Sequence, residues 1–87
     1  MSGLRLRRDA LEWRDVDGEL VALDVRGAEY LRSNRAGALI WRLLAEGSDR
    51  DALVAALAWK FGIDDRTAAA DVDHFLGELR ARGLLEE

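Results

Sequence analysis

Few side chains in this 87-residue chain are able to do covalent chemistry. The aliphatic hydroxyls are Ser2, Ser33, Ser48 and Thr67, Tyr30 is the one phenol, and the only imidazole, His74, stands at no spacing that would make it their base. A hydroxyl without a positioned base is a weak nucleophile. The absence of Cys excludes thiol nucleophiles, disulfides, Cys-ligated zinc and iron–sulfur clusters, and a single His excludes any site needing two imidazoles. Asp64 with Asp65, and Asp71 with Asp73, have the residue type for a cation site. Acids in the first turns of a helix are explained more simply by capping and by the helix dipole. The eight Gly residues form neither G-x-G-x-x-G nor a Walker loop, and Gly47-Ser48-Asp49 lacks the Asp-Ser-Leu of a phosphopantetheine carrier. The chain is therefore expected to bind rather than catalyse, with no cofactor and no metal.

The elements that must carry such a binding site fit in one domain, residues 1–87. Hydrophobic residues make up 49% and charged residues 34%, a globular balance, and at this size nearly every apolar residue is needed for the core. No apolar run is long enough to span a membrane, and the start, MSGLRLRR, has no apolar stretch behind its basic residues, so a cytoplasmic location is expected. Thirteen basic and seventeen acidic residues leave a net charge of −4, which disfavours nucleic-acid binding. The one basic cluster, Arg5, Arg7 and Arg8, reads as a polar flank to the first strand rather than a docking arm.

Extended chain comes first. Residues 10–16 alternate, with Leu11, Trp13 and Asp15 on one face and Ala10, Glu12, Arg14 and Val16 on the other. Asp17-Gly18 predicts a two-residue hairpin turn, in which both central residues need positive φ. Residues 19–25 form a second strand, Arg26-Gly27 a second turn, and residues 28–32 a third, shorter strand. From Asn34 the period becomes helical. Asn34 caps a helix with Ala38, Leu39, Ile40, Trp41, Leu43 and Leu44 on its apolar face, ended by Gly47. Ser48-Asp49-Arg50-Asp51 resembles a capping box and starts a second helix, which carries Leu53, Val54, Leu57, Ala58 and Phe61 up to Gly62. Asp64 or Asp65 caps the third, whose stripe is Val72, Phe75, Leu76 and Leu79; Gly83 ends it, and Leu84 and Leu85 fold back. The expected fold class is α+β: a three-stranded antiparallel meander followed by three helices.

Two surfaces are left for binding. A three-stranded meander has two edges, and the third strand leaves N–H and C=O groups free to accept another strand. The stripe of the third helix is mainly core, with Phe75 placed to wall a groove. Trp41 reads as core and Trp13 and Trp59 as partly exposed, while His74 falls on the opposite side of the helix from Val72 and Leu79, facing solvent.

Asp-Gly followed by Leu-Val-Ala-Leu-Asp at residues 20–24, Tyr30, and Asn34-Arg-Ala-Gly-Ala-Leu-Ile-Trp41 together resemble the PqqD-like family, as does the finish from Ala70 to Leu84, Asp-Val-x-x-Phe-Leu-x-x-Leu-x-x-x-Gly-Leu. These are recognition elements of ribosomally made, post-translationally modified peptides. The resemblance runs from about residue 10 to the end, with one departure at Ser33, where the family usually has a Leu or similar residue. It implies a winged-helix-like fold in which the leader part of a precursor peptide adds as a strand along the third strand and drops side chains into the groove against the third helix. On this sequence the strand residues would be Ala28, Glu29, Tyr30, Leu31 and Arg32. The helix would supply Val72, Phe75 and Leu79 as floor and Asp71, Glu78 and Arg82 as one rim, with Ala69, Asp73, Leu76 and Arg80 as the alternative flank. A chain of this length resembles the stand-alone members, which implies as partners a leader peptidase and a macrolactam-forming cyclase of a lasso-peptide pathway, or a radical enzyme in the PQQ and related pathways. The competing classes are a winged-helix nucleic-acid binder, opposed by the charge, and a dimerisation module using the same edge.

Overall fold

The computed structural model describes residues 3–7, 9 and 11–87; Met1, Ser2, Arg8 and Ala10, where the first strand was expected to open, lie outside the described residues. The elements are β1 (Arg5–Leu6), β2 (Leu11–Val16), β3 (Glu19–Asp24), β4 (Glu29–Ser33), α1 (Arg35–Glu46), α2 (Arg50–Phe61), α3 (Asp65–Ala81) and β5 (Leu85–Glu86). Strands β2, β3 and β4 form the antiparallel meander in that order, so β4 is an edge. The expected α+β class and the order of three meander strands and three helices hold.

Turn chemistry sets the registers. Asp17 and Gly18 both have positive φ (55° and 84°), and the Asp15 carboxylate accepts from the Gly18 N–H at 2.8 Å, which aligns Val16 with Glu19. The second turn is longer than Arg26-Gly27. It takes in Val25 and Ala28, because the Asp24 carboxylate accepts from the N–H groups of Arg26 and Gly27 and draws the chain into a turn. Ala28, expected in the strand, is therefore a turn residue at φ 53°, and the strand runs to Ser33 instead of Arg32.

Leu20, Ala22 and Leu31 bury one face of the meander against Ile40, Trp41 and Leu44 of α1. Behind α1, helices α2 and α3 contribute Leu53, Leu57, Ala68, Val72, Leu76 and Leu79 to the same core. Trp41 is fully buried, its indole N–H has no acceptor among the described residues, and Trp13 covers it edge-on at 6.3 Å between ring centroids. Asn34 caps α1 by accepting from the Gly37 N–H at 3.0 Å. Asp49, not Ser48, caps α2: its carboxylate accepts from the Ala52 N–H, while Ser48 exchanges backbone hydrogen bonds with Leu4. Asp64 caps α3. At the end of α3, Gly83 is left-handed and the Leu84 N–H donates to the Leu79 carbonyl, a closed C-terminal turn that drops Leu84 into the core. Beyond it β5 pairs with β1 in a separate two-stranded sheet, and β1 packs against α1.

Candidate functional site

The site begins at the free side of β4, where no strand among the described residues pairs with Glu29–Ser33. Beside its C-terminal half lies an open groove of about 350 Å³. Arg32, Ser33 and Asn34 form its strand-side lip, and Ala36, Gly37 and Ile40 of α1 its floor. Asp71, His74, Phe75 and Glu78 of α3 form the far wall. The floor exists because Gly37 has no side chain. A Cβ there would overlap the Ser33 hydroxyl and lie 2.7 Å from Ser33 Cβ and 3.0 Å from Phe75 Cε1. The small Ser33 therefore packs the end of the third meander strand directly onto α1.

The expected site residues separate into four groups. Asp71, Phe75 and Glu78 come together on the wall, three to four residues apart on one helical face, with Arg32 across the groove. Glu29 and Arg82 meet at the opposite end of β4, 4.0 Å apart, above a crevice of about 10 Å³ beside Leu31 and Trp41 that has no room for a side chain. Tyr30 is 69% exposed and turns to the outer face of the sheet, alongside Arg14 and Leu23. Val72 and Leu79 are fully buried and contribute no surface to the groove, so α1 and not the buried stripe of α3 provides the floor. On the alternative flank Leu76 is buried, Asp73 is clamped by Arg50 at 2.7 and 2.9 Å, and Arg80 binds Glu87. The Arg50 hydrogen bond holds the Asp73 carboxyl below the usual carboxylate range. Asp71, His74 and Glu78, in contrast, make no side-chain hydrogen bond or ion pair among the described residues.

Six lining residues lay outside the expected site: Ser33, Asn34, Ala36, Gly37, Ile40 and His74. Gly37 and Ile40 were read as parts of a capped, apolar helix, although a Gly within a helical pattern is itself a signal of close approach. His74 is exposed as expected, but it belongs to the groove wall because it stands three residues after Asp71 and four before Glu78, on the same helical face. Among the described residues no group of three or more acidic or His side chains is placed to hold a metal ion, and no helix is long and apolar enough to cross a membrane.

The family described as Coenzyme PQQ synthesis protein D (PqqD) matches residues 19–85, most of the chain and all of the groove. The chain belongs to the PqqD family. Two solved structures share its fold closely. One, described as TbiB1 in complex with the TbiA(beta) leader peptide, is 30% identical with a TM-score of 0.83 over 94% of both chains. The other, lasso peptide synthetase B1 complexed with the leader peptide, is 25% identical with a TM-score of 0.80 over 97% of this chain and 98% of that one. A comparison with curated proteins gave no significant match. In this PqqD-family chain the free strand edge and the groove lie side by side, an arrangement suited to holding an extended peptide.

Proposed function

We propose that this chain binds the leader region of a ribosomal precursor peptide, catalyses nothing itself, and presents the peptide to the enzymes that process it. The observation that carries the reading is the unpaired edge of β4 lying directly beside an open, partly apolar groove. The leader adds as a fourth strand along Glu29–Ser33. About three to five backbone hydrogen bonds, each worth about 0.5–1.5 kcal/mol net, hold it extended without reading much sequence. Alternate leader side chains point into the groove, and specificity arises there, over Gly37, Ile40 and Phe75. Glu29, Tyr30, Leu31 and Arg32 supply the strand, Asp71, Phe75 and Glu78 the wall, and Arg82 the far end. Ala28 remains at the turn, and Val72 and Leu79 act from beneath by fixing α3.

Tethering raises the leader's local concentration at a partner enzyme, so that binding energy becomes proximity. The likeness to TbiB1 and to a lasso peptide synthetase B1, each solved with a leader peptide, supports a lasso-peptide setting, with a leader peptidase and a macrolactam-forming cyclase as partners, over a radical-enzyme pathway.

Titrating the isotope-labelled protein with the TbiA(beta) leader peptide tests the reading by NMR. Saturable binding is expected, with a Kd from about micromolar to tens of nanomolar. Amide shifts should concentrate in Glu29–Ser33 and around Gly37 and Phe75. The same peptide N-methylated at alternate residues, which cannot complete the ladder, should bind at least about tenfold more weakly. Shifts centred on α2, or equal affinity for the N-methylated peptide, would reject strand addition.

A further inference from the structure

We infer that the leader segment recognised here carries a basic side chain, arginine in preference to lysine, held between Asp71 and Glu78 over the ring of Phe75; this rests on the leader-binding reading above. Asp71, Phe75 and Glu78 stand at i, i+4 and i+7, a single stripe that forms the groove wall. Elsewhere on α3, Asp73 is paired with Arg50 and Arg80 with Glu87, while the exposed Asp65 and Arg66 of the first turn make no side-chain hydrogen bond or ion pair among the described residues. The two carboxylates that face the groove have no cationic partner among the described residues. Arg32 on the strand lip is the one cation lining the groove with them, and the two acids outnumber it.

Room and chemistry agree on the occupant. An apolar side chain filling the groove would strip water from both carboxylates and return nothing to them, an unfavourable exchange. A long cationic side chain lays its methylene stem along Ile40 and Phe75 and keeps its charged head at the rim. Guanidinium suits the site better than ammonium, because its planar fork reaches two carboxylates and its face stacks on an aromatic ring. The net charge of −4 draws such a peptide in during encounter.

The test selects binders from a display library of random twelve-residue peptides against the natural chain and against Asp71→Asn/Glu78→Gln, two exposed or half-exposed positions where isosteric amides spare the fold. The expected binders share an arginine at one fixed position relative to their apolar residues. Replacing that arginine by methionine should weaken binding to the natural chain about tenfold, and replacing it by lysine about threefold. In the double amide variant the arginine and methionine peptides should bind alike, and 0.5 M salt should erase most of the difference in the natural chain. Binders with an aliphatic or aromatic residue at that position, or an arginine preference that survives in the amide variant, would overturn the inference while leaving strand addition intact. A selection without any binder whose shifts map to β4 would overturn both readings.

Discussion

Gly37 sits in the first turns of α1, where almost any other residue is a better helix former, and the reason lies across the groove. Ser33 and Phe75, distant in sequence, converge on the space a side chain would occupy. Gly37→Ala gains about 1 kcal/mol of intrinsic helix propensity. It also forces a Cβ to within 2.7 Å of Ser33 Cβ and 3.0 Å of Phe75, and the strand and helix behind those atoms are packed. The clash should win, with a net destabilisation of about 1–2 kcal/mol read as a lower urea midpoint at unchanged slope. The same substitution raises the groove floor, so leader affinity should fall by more than the loss of stability alone explains.

At the scale of elements, the sequence carried most of the fold because its signals were local. Asp17-Gly18, Asn34, Asp64 and Gly83 act within one turn of chain, and the structure uses each as its type requires. The signals that misled were of two kinds, one decided by a distant partner and one in which a local side chain overrode the pattern around it. Ser48 has a good capping side chain, but Leu4 claims its backbone and Asp49 takes the cap. The Asp24 carboxylate recruits the Arg26 and Gly27 amides, so Ala28 leaves the strand that its neighbours suggest. Strands β1 and β5, two residues each, have no period to read. The site shows the same division. The helical spacing of Asp71, Phe75 and Glu78 was visible, whereas the contribution of α1 to the floor depends on how three elements pack. Strand β5 also makes a testable claim. The turn at Gly83 exists to deliver Leu84, 3% exposed, beneath the sheet and to start the pairing with β1. Leu84→Ala should therefore cost about 2–3 kcal/mol, near the low end for a buried leucine because the site lies at the edge of the core. In hydrogen exchange the amides of Arg7 and Leu84 should lose protection first, while those of Leu20–Leu23 keep theirs.

For the molecule as a whole, stability depends on carboxylates that are charged in the folded state. Burial tends to raise the Asp24 carboxyl, but the Arg7 guanidinium at 2.7 Å and the N–H groups of Gly27 and Arg26 outweigh it, leaving it below its ordinary value. Asp64 is lowered by the Thr67 backbone N–H it accepts from, Asp73 by Arg50 and Glu87 by Arg80. These groups stitch separate parts together: the N-terminal segment to the β3–β4 turn, α2 to α3, and α3 to the chain end. A carboxyl whose folded pKa lies below its unfolded one contributes its full stability above the unfolded value, near pH 4, and loses it as the pH falls toward the folded value. All four shifts have the same sign, so the urea midpoint should hold steady from pH 7 to about 5 and then fall continuously below about pH 4. Asp24→Asn removes the carboxyl held by the most interactions, so it should lower the midpoint at pH 7 and flatten the decline in acid. A flat profile in the parent chain, or a decline equally steep in Asp24→Asn, would show that these ion pairs do not hold the meander, the helices and the termini together.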